Sequence, residues 1–67
     1  MKPTFEQMNH DYRRAFTLAE RGEWAEAEDA YEAARVKAEA LGATEVAKQA
    51  AAFRDLMRHT IESRMFS

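Results

Sequence analysis

Residues that break helices occur at only three positions in this chain, Pro3, Gly22 and Gly42, and their placement constrains the fold more than any other feature. Between them the sequence is rich in Ala, Glu and Arg, which lose little freedom in a helix. Strand signals are missing, since no apolar–polar alternation is sustained and β-branched residues hardly cluster. Thr4 stands three residues before Gln7, the spacing of a capping box, so a first helix is expected over about 5–21. Gly22 then supplies the left-handed conformation that ends many helices. A second helix is expected over about 24–41, closed by Gly42. A third, capped by Thr44, is expected over about 45–64, with Met65, Phe66 and Ser67 fraying. Connections as short as Gly22-Glu23 and Gly42-Ala43 fold successive helices back on one another. The expected fold is all-α, three antiparallel helices in a single domain over residues 1–67.

Apolar residues recur on each segment with a period near 3.6. On the first, Phe5, Met8, Tyr12, Ala15, Phe16 and Ala19 share a face, with Leu18 off it. On the second, Trp24, Ala27, Tyr31, Ala34, Ala38 and Leu41 form a stripe of large residues spaced by alanines. The small residues let a neighbouring helix approach closely, and the aromatics fill the space that remains. On the third, Val46, Ala50, Phe53, Met57 and Ile61 align, and Ala47, Leu56 and Met65 widen the stripe. One neighbour does not need that width. The third helix is therefore expected to touch two things at once, and Phe53, Leu56, Met57, Ile61 and Met65 are the expected protein interface.

A chain of 67 residues sits near the lower limit at which one apolar core holds a fold. Without cysteine it has neither disulfides nor a thiolate metal site to supplement that core. Small domains without such staples gain stability by associating, so a homodimer or another protein partner is expected. No apolar run approaches the roughly 18 residues needed to span a bilayer, and the N-terminal residues lack the apolar stretch of a signal peptide. The cytoplasm is the expected location, with no membrane role.

The segment from Gly22 to Ala34 reads G-x-W-x-x-A-x-x-x-Y-x-x-A, through Gly22, Trp24, Ala27, Tyr31 and Ala34. This resembles the second half of a tetratricopeptide repeat. Gly22 permits the turn, Trp24 and Tyr31 plug the groove between paired helices, and Ala27 and Ala34 allow close contact; Tyr12 and Phe16 complete the expected hairpin core. Upstream, Ala15 sits where the repeat's first helix uses a small residue and Leu18 where it uses a large one. The sequence also departs from the pattern: Asp11 occupies the first aromatic position, with Tyr12 adjacent, and Glu39 replaces the proline after the second helix. No second copy follows, because the next glycine would fall at Leu56. Helix three then resembles the capping helix of such arrays, or the last helix of the three-helix MIT domains. The resemblance implies protein–protein binding in a groove lined by first helices, with Phe5, Tyr12 and Phe16 as candidate groove residues.

Sites of chemistry are scarce. Glu6 and His10 lie four residues apart and His59 and Glu62 three apart, but a bundle metal site takes a Glu-x-x-His motif from each of two helices, and none is present. A solvated pair is the simpler reading, so no metal or cofactor is expected. No Ser–His–Asp arrangement, phosphate loop or cysteine nucleophile is readable, and the chain is not expected to be an enzyme. The net charge of −2 argues against nucleic acid, where binders carry a basic excess. The alternative function is a small dimeric helical regulator that binds nucleic acid through Arg54 and Arg58, one turn apart on the third helix. Charge is also segregated: Gly22 to Gly42 carries six acids against Arg35 and Lys37, which is either a solvated acidic face or a surface that steers a basic partner.

Overall fold

The computed structural model describes residues 2–66, so the fraying expected of Ser67 lies outside the described residues. Three helices account for nearly all of these: α1 (Phe5–Glu20), α2 (Trp24–Ala40) and α3 (Thr44–Met65), each bound lying within a residue of expectation. Thr4 caps α1 as its spacing implies. Its hydroxyl oxygen accepts from the Gln7 N–H at 3.1 Å, and the Gln7 side chain accepts from the Thr4 N–H at 3.0 Å. Thr44 does not cap α3. It is the first helical residue, and Ala43 holds the cap position without a side-chain bond.

Both turns close the same way. Gly22 (φ +78°) and Gly42 (φ +75°) take the left-handed conformation. The next amide in each case bonds back to the helix just ended, Glu23 N–H to Leu18 at 2.9 Å and Ala43 N–H to Ala38 at 2.8 Å. Each is a Schellman motif, and the residue that completes it also begins the following helix. With no residue left over between helices, α1, α2 and α3 reverse in succession. The ion pairs record the register: Glu28 meets Arg58 and Glu32 meets Arg54, so residues later in α2 pair with residues earlier in α3.

Helix α2 packs against both neighbours, whereas α1 and α3 approach one another far less closely. Its buried residues are Ala27, Ala30, Tyr31, Ala34 and Ala38, and the alanines let two helices come near one backbone. Helix α1 contributes Met8, Ala15 and Leu18 to the core, and α3 contributes Ala47, Ala50 and Met57. Leu18, which sequence periodicity sets off the apolar face, is thus a core residue. Phe16, expected in the hairpin core, is 56 % exposed, and Phe5 is similarly open. The contact with α2 is centred between Ala15 and Leu18, so a residue one turn beyond Tyr12 lies past its edge. The molecule is an open layer in which α1 and α3 flank α2.

Candidate protein-docking groove

The groove begins with three rings. Tyr31 of α2 is 1 % exposed and is the largest fully buried side chain. Tyr12 of α1 meets it edge-on at 5.7 Å between centroids, and Phe53 of α3 stacks on it at 5.3 Å. Tyr12 and Phe53 also meet edge-on at 6.2 Å, joining α1 to α3 across the top of α2. Such offset and edge-on pairs are favoured by ring quadrupoles. Burial pushes both phenols above their ordinary pKa of 10.0, with the neighbouring Tyr12 adding to the effect at Tyr31.

Because α1 and α3 are both antiparallel to α2, they run in the same direction, and the ring contact fixes their alignment. One turn after Tyr12 stands Phe16; one turn after Phe53 stands Leu56, which is 51 % exposed. Phe53 itself is 40 % exposed although it stacks on Tyr31. Phe16 and Leu56, one turn beyond Tyr12 and Phe53, are thus large apolar side chains left exposed next in sequence to the ring cluster.

The five expected interface residues separate. Phe53 and Leu56 are exposed, Phe53 while stacked on Tyr31. Met57 is 6 % exposed and belongs to the core, because the face of α3 that meets α2 runs through Ala47, Ala50 and Met57. It is withdrawn from the interface. Ile61 is half-buried, and Met65 is exposed near the end of α3. Of the hairpin residues, Ala27 and Tyr31 share one cluster with Tyr12 and the half-buried Trp24 packed against it, and Ala34 is fully buried; the Arg64 guanidinium lies 5.5 Å from the Trp24 ring centroid.

Arg54 and Arg58 do not form a free basic row. Arg58 donates to both Glu28 carboxylate oxygens at 2.7 and 2.8 Å, and Arg54 donates to Glu32 and to Asp55. Glu32 also accepts from Arg35 at 2.6 and 2.8 Å. These bonds, from Arg35 first and then Arg54, hold its carboxyl at a pKa of about 2. The acidic excess of α2 therefore faces, in part, the arginines of α3. Lys37 likewise reaches back to Asp11 of α1. Among the described residues no group of three or more His, Cys, Asp or Glu is placed to hold a metal ion, and no helix is long and apolar enough to cross a membrane.

The observed class is a three-helix, all-α layer. No family model, curated protein or solved structure matches the chain.

Proposed function

We propose that this chain is a non-catalytic protein-interaction module, a small subunit or adaptor that docks another polypeptide on exposed apolar side chains of α1 and α3. The observation that carries this reading is the exposure of three large apolar side chains, Phe53 within the ring cluster and Phe16 and Leu56 one turn beyond Tyr12 and Phe53. Contiguous apolar surface marks an interaction site. Overall shape supports it: the accessible surface of 4733 Å² exceeds the about 4300 Å² expected for a compact monomer of this mass. The tetratricopeptide-like pattern from Gly22 to Ala34 agrees with a scaffold that presents a first-helix groove.

Leu56→Asp tests the proposal directly. The residue lies outside the core, so the variant should keep its helix content and melt close to the parent. It should nevertheless lose association, whether with itself in sedimentation or with proteins cross-linked to the parent in its native host. Association undiminished by Leu56→Asp would remove these side chains from the function.

A further inference from the structure

The open side of α1 carries a charge pattern that the rest of the molecule does not use. Arg13 and Glu20 flank Phe16, three residues before it and four after. Seven residues apart, they lie on the same side of the helix, about 10 Å from each other along its axis. Nearly every charged side chain that faces α2 or α3 is paired, as with Asp11 to Lys37, Glu28 to Arg58 and Glu32 to Arg54. Arg13 and Glu20 have no ion-pair partner among the described residues, and both are exposed. An exposed aromatic with a cation before it and an anion after it is complementary to itself. Turned end for end about a point between Phe16 and Thr17, each Arg13 falls opposite a Glu20, and the two Phe16 rings meet at the axis.

We propose that the open face of α1 packs against the same face of a second copy, two α1 helices lying antiparallel across a two-fold axis at Phe16 and Thr17. The proposal rests on the reading of the exposed apolar side chains as a docking site and names its occupant. The interface is isologous, so both Arg13–Glu20 contacts form at once. Phe16 of the second copy packs on Phe16 of the first, covering an aromatic ring that the described chain leaves exposed. One exposed ring and two surface ion pairs form a small contact, well short of the roughly 20–30 residues a side of an interface of standard size. The expected species is therefore a concentration-dependent dimer with micromolar dissociation rather than an obligate one.

Sedimentation equilibrium from about 1 µM to 1 mM on the full chain reads the association. The parent should pass from monomer to dimer. Arg13→Glu and Glu20→Arg should each weaken the dimer by roughly tenfold or more, since two attractive contacts become repulsive together. The double variant, whose net charge equals the parent's, should regain the affinity. A one-to-one mixture of the two single variants should form a heterodimer, in which each contact again joins opposite charges. A double variant no tighter than either single variant, or a mixture that stays monomeric, overturns the two-fold arrangement. A parent that remains monomeric throughout overturns the second copy as occupant. In that case loss of a different protein from Leu56→Asp in the native host would leave the docking reading standing, and its retention would end both. Circular dichroism of every variant at low concentration separates lost association from lost folding.

Discussion

Tyr31→Ala and Phe16→Ala remove aromatic rings that the sequence places in the same hairpin core, and the structure separates them sharply. Tyr31 is 1 % exposed and contacts a ring on each neighbouring helix. Emptying such a site costs about 3–5 kcal/mol, which already includes the loss of pairs worth about 0.5–1.5 kcal/mol each. At about 0.05–0.15 kcal/mol per residue, a chain of this length holds only about 3–10 kcal/mol in total. Tyr31→Ala should therefore remove most or all of the folded population at room temperature. Phe16 gives up less than half of a side-chain burial worth about 1.5–3 kcal/mol, so Phe16→Ala should cost about 1 kcal/mol or less. Tyr31→Phe keeps both ring contacts and should cost under about 1 kcal/mol. Urea unfolding followed by far-ultraviolet circular dichroism, at micromolar protein so that association contributes little, measures all three. Equal costs for Tyr31→Ala and Phe16→Ala would refute the layer as described, because they would mean that Phe16 is covered.

Two further outcomes concern the pairs and turns that hold the layer. Glu32 titrates near 2 in the folded chain against the usual 4.5, so the unfolded chain binds the proton first as pH falls. Its stabilisation is complete above about pH 4.5 and is lost as pH drops towards 2. With the carboxylate 40 % exposed, solvent screening reduces the effect to about 1 kcal/mol. An acid unfolding curve that keeps its slope in Glu32→Gln would contradict this. At the turns, Gly42→Ala meets nothing within 4 Å, and Gly22→Ala meets Trp24 only at an ordinary 3.7 Å. Both should still cost about 1–2 kcal/mol through the left-handed backbone, and a neutral Gly42→Ala melt would show that the conformation is not required.

Helix number, bounds and reversal were legible because each depends on local chemistry. Thr4 with Gln7 starts α1, and Gly22 and Gly42 end α1 and α2, without reference to anything distant in the chain. Position around each helix was less legible. Period 3.6 groups Phe16 with Tyr12 and Met8, but only the place of a neighbour decides which flank is covered, and α1 is closely packed against one helix alone. The same uncertainty put Met57 in the interface and Leu18 outside the core. Arg54 and Arg58 could be read as a free row because their carboxylates lie 22 and 30 residues away in sequence. The local sign was Asp55, next to Arg54 and bonded to it, and the more distant one the opposite charge of α2. Trp24 fits the plug position of its motif in part: it packs against the core cluster beside the Gly22 turn but, as the first residue of α2, stays half-buried.

The exposed side chains follow from how the core is built. Helix α2 buries four alanines and one tyrosine, so it draws two helices close but offers little volume of its own to fill the space around them. The large residues must come from α1 and α3. Tyr12 and Phe53 close over Tyr31 at one level. A turn further on, Phe16 and Leu56 have no fourth helix to meet. Adding bulk to α2 there would push the layer apart, and making Phe16 or Leu56 polar would cost the folded chain little. Their apolar character adds little to the stability of the chain itself, as the proposed docking role requires.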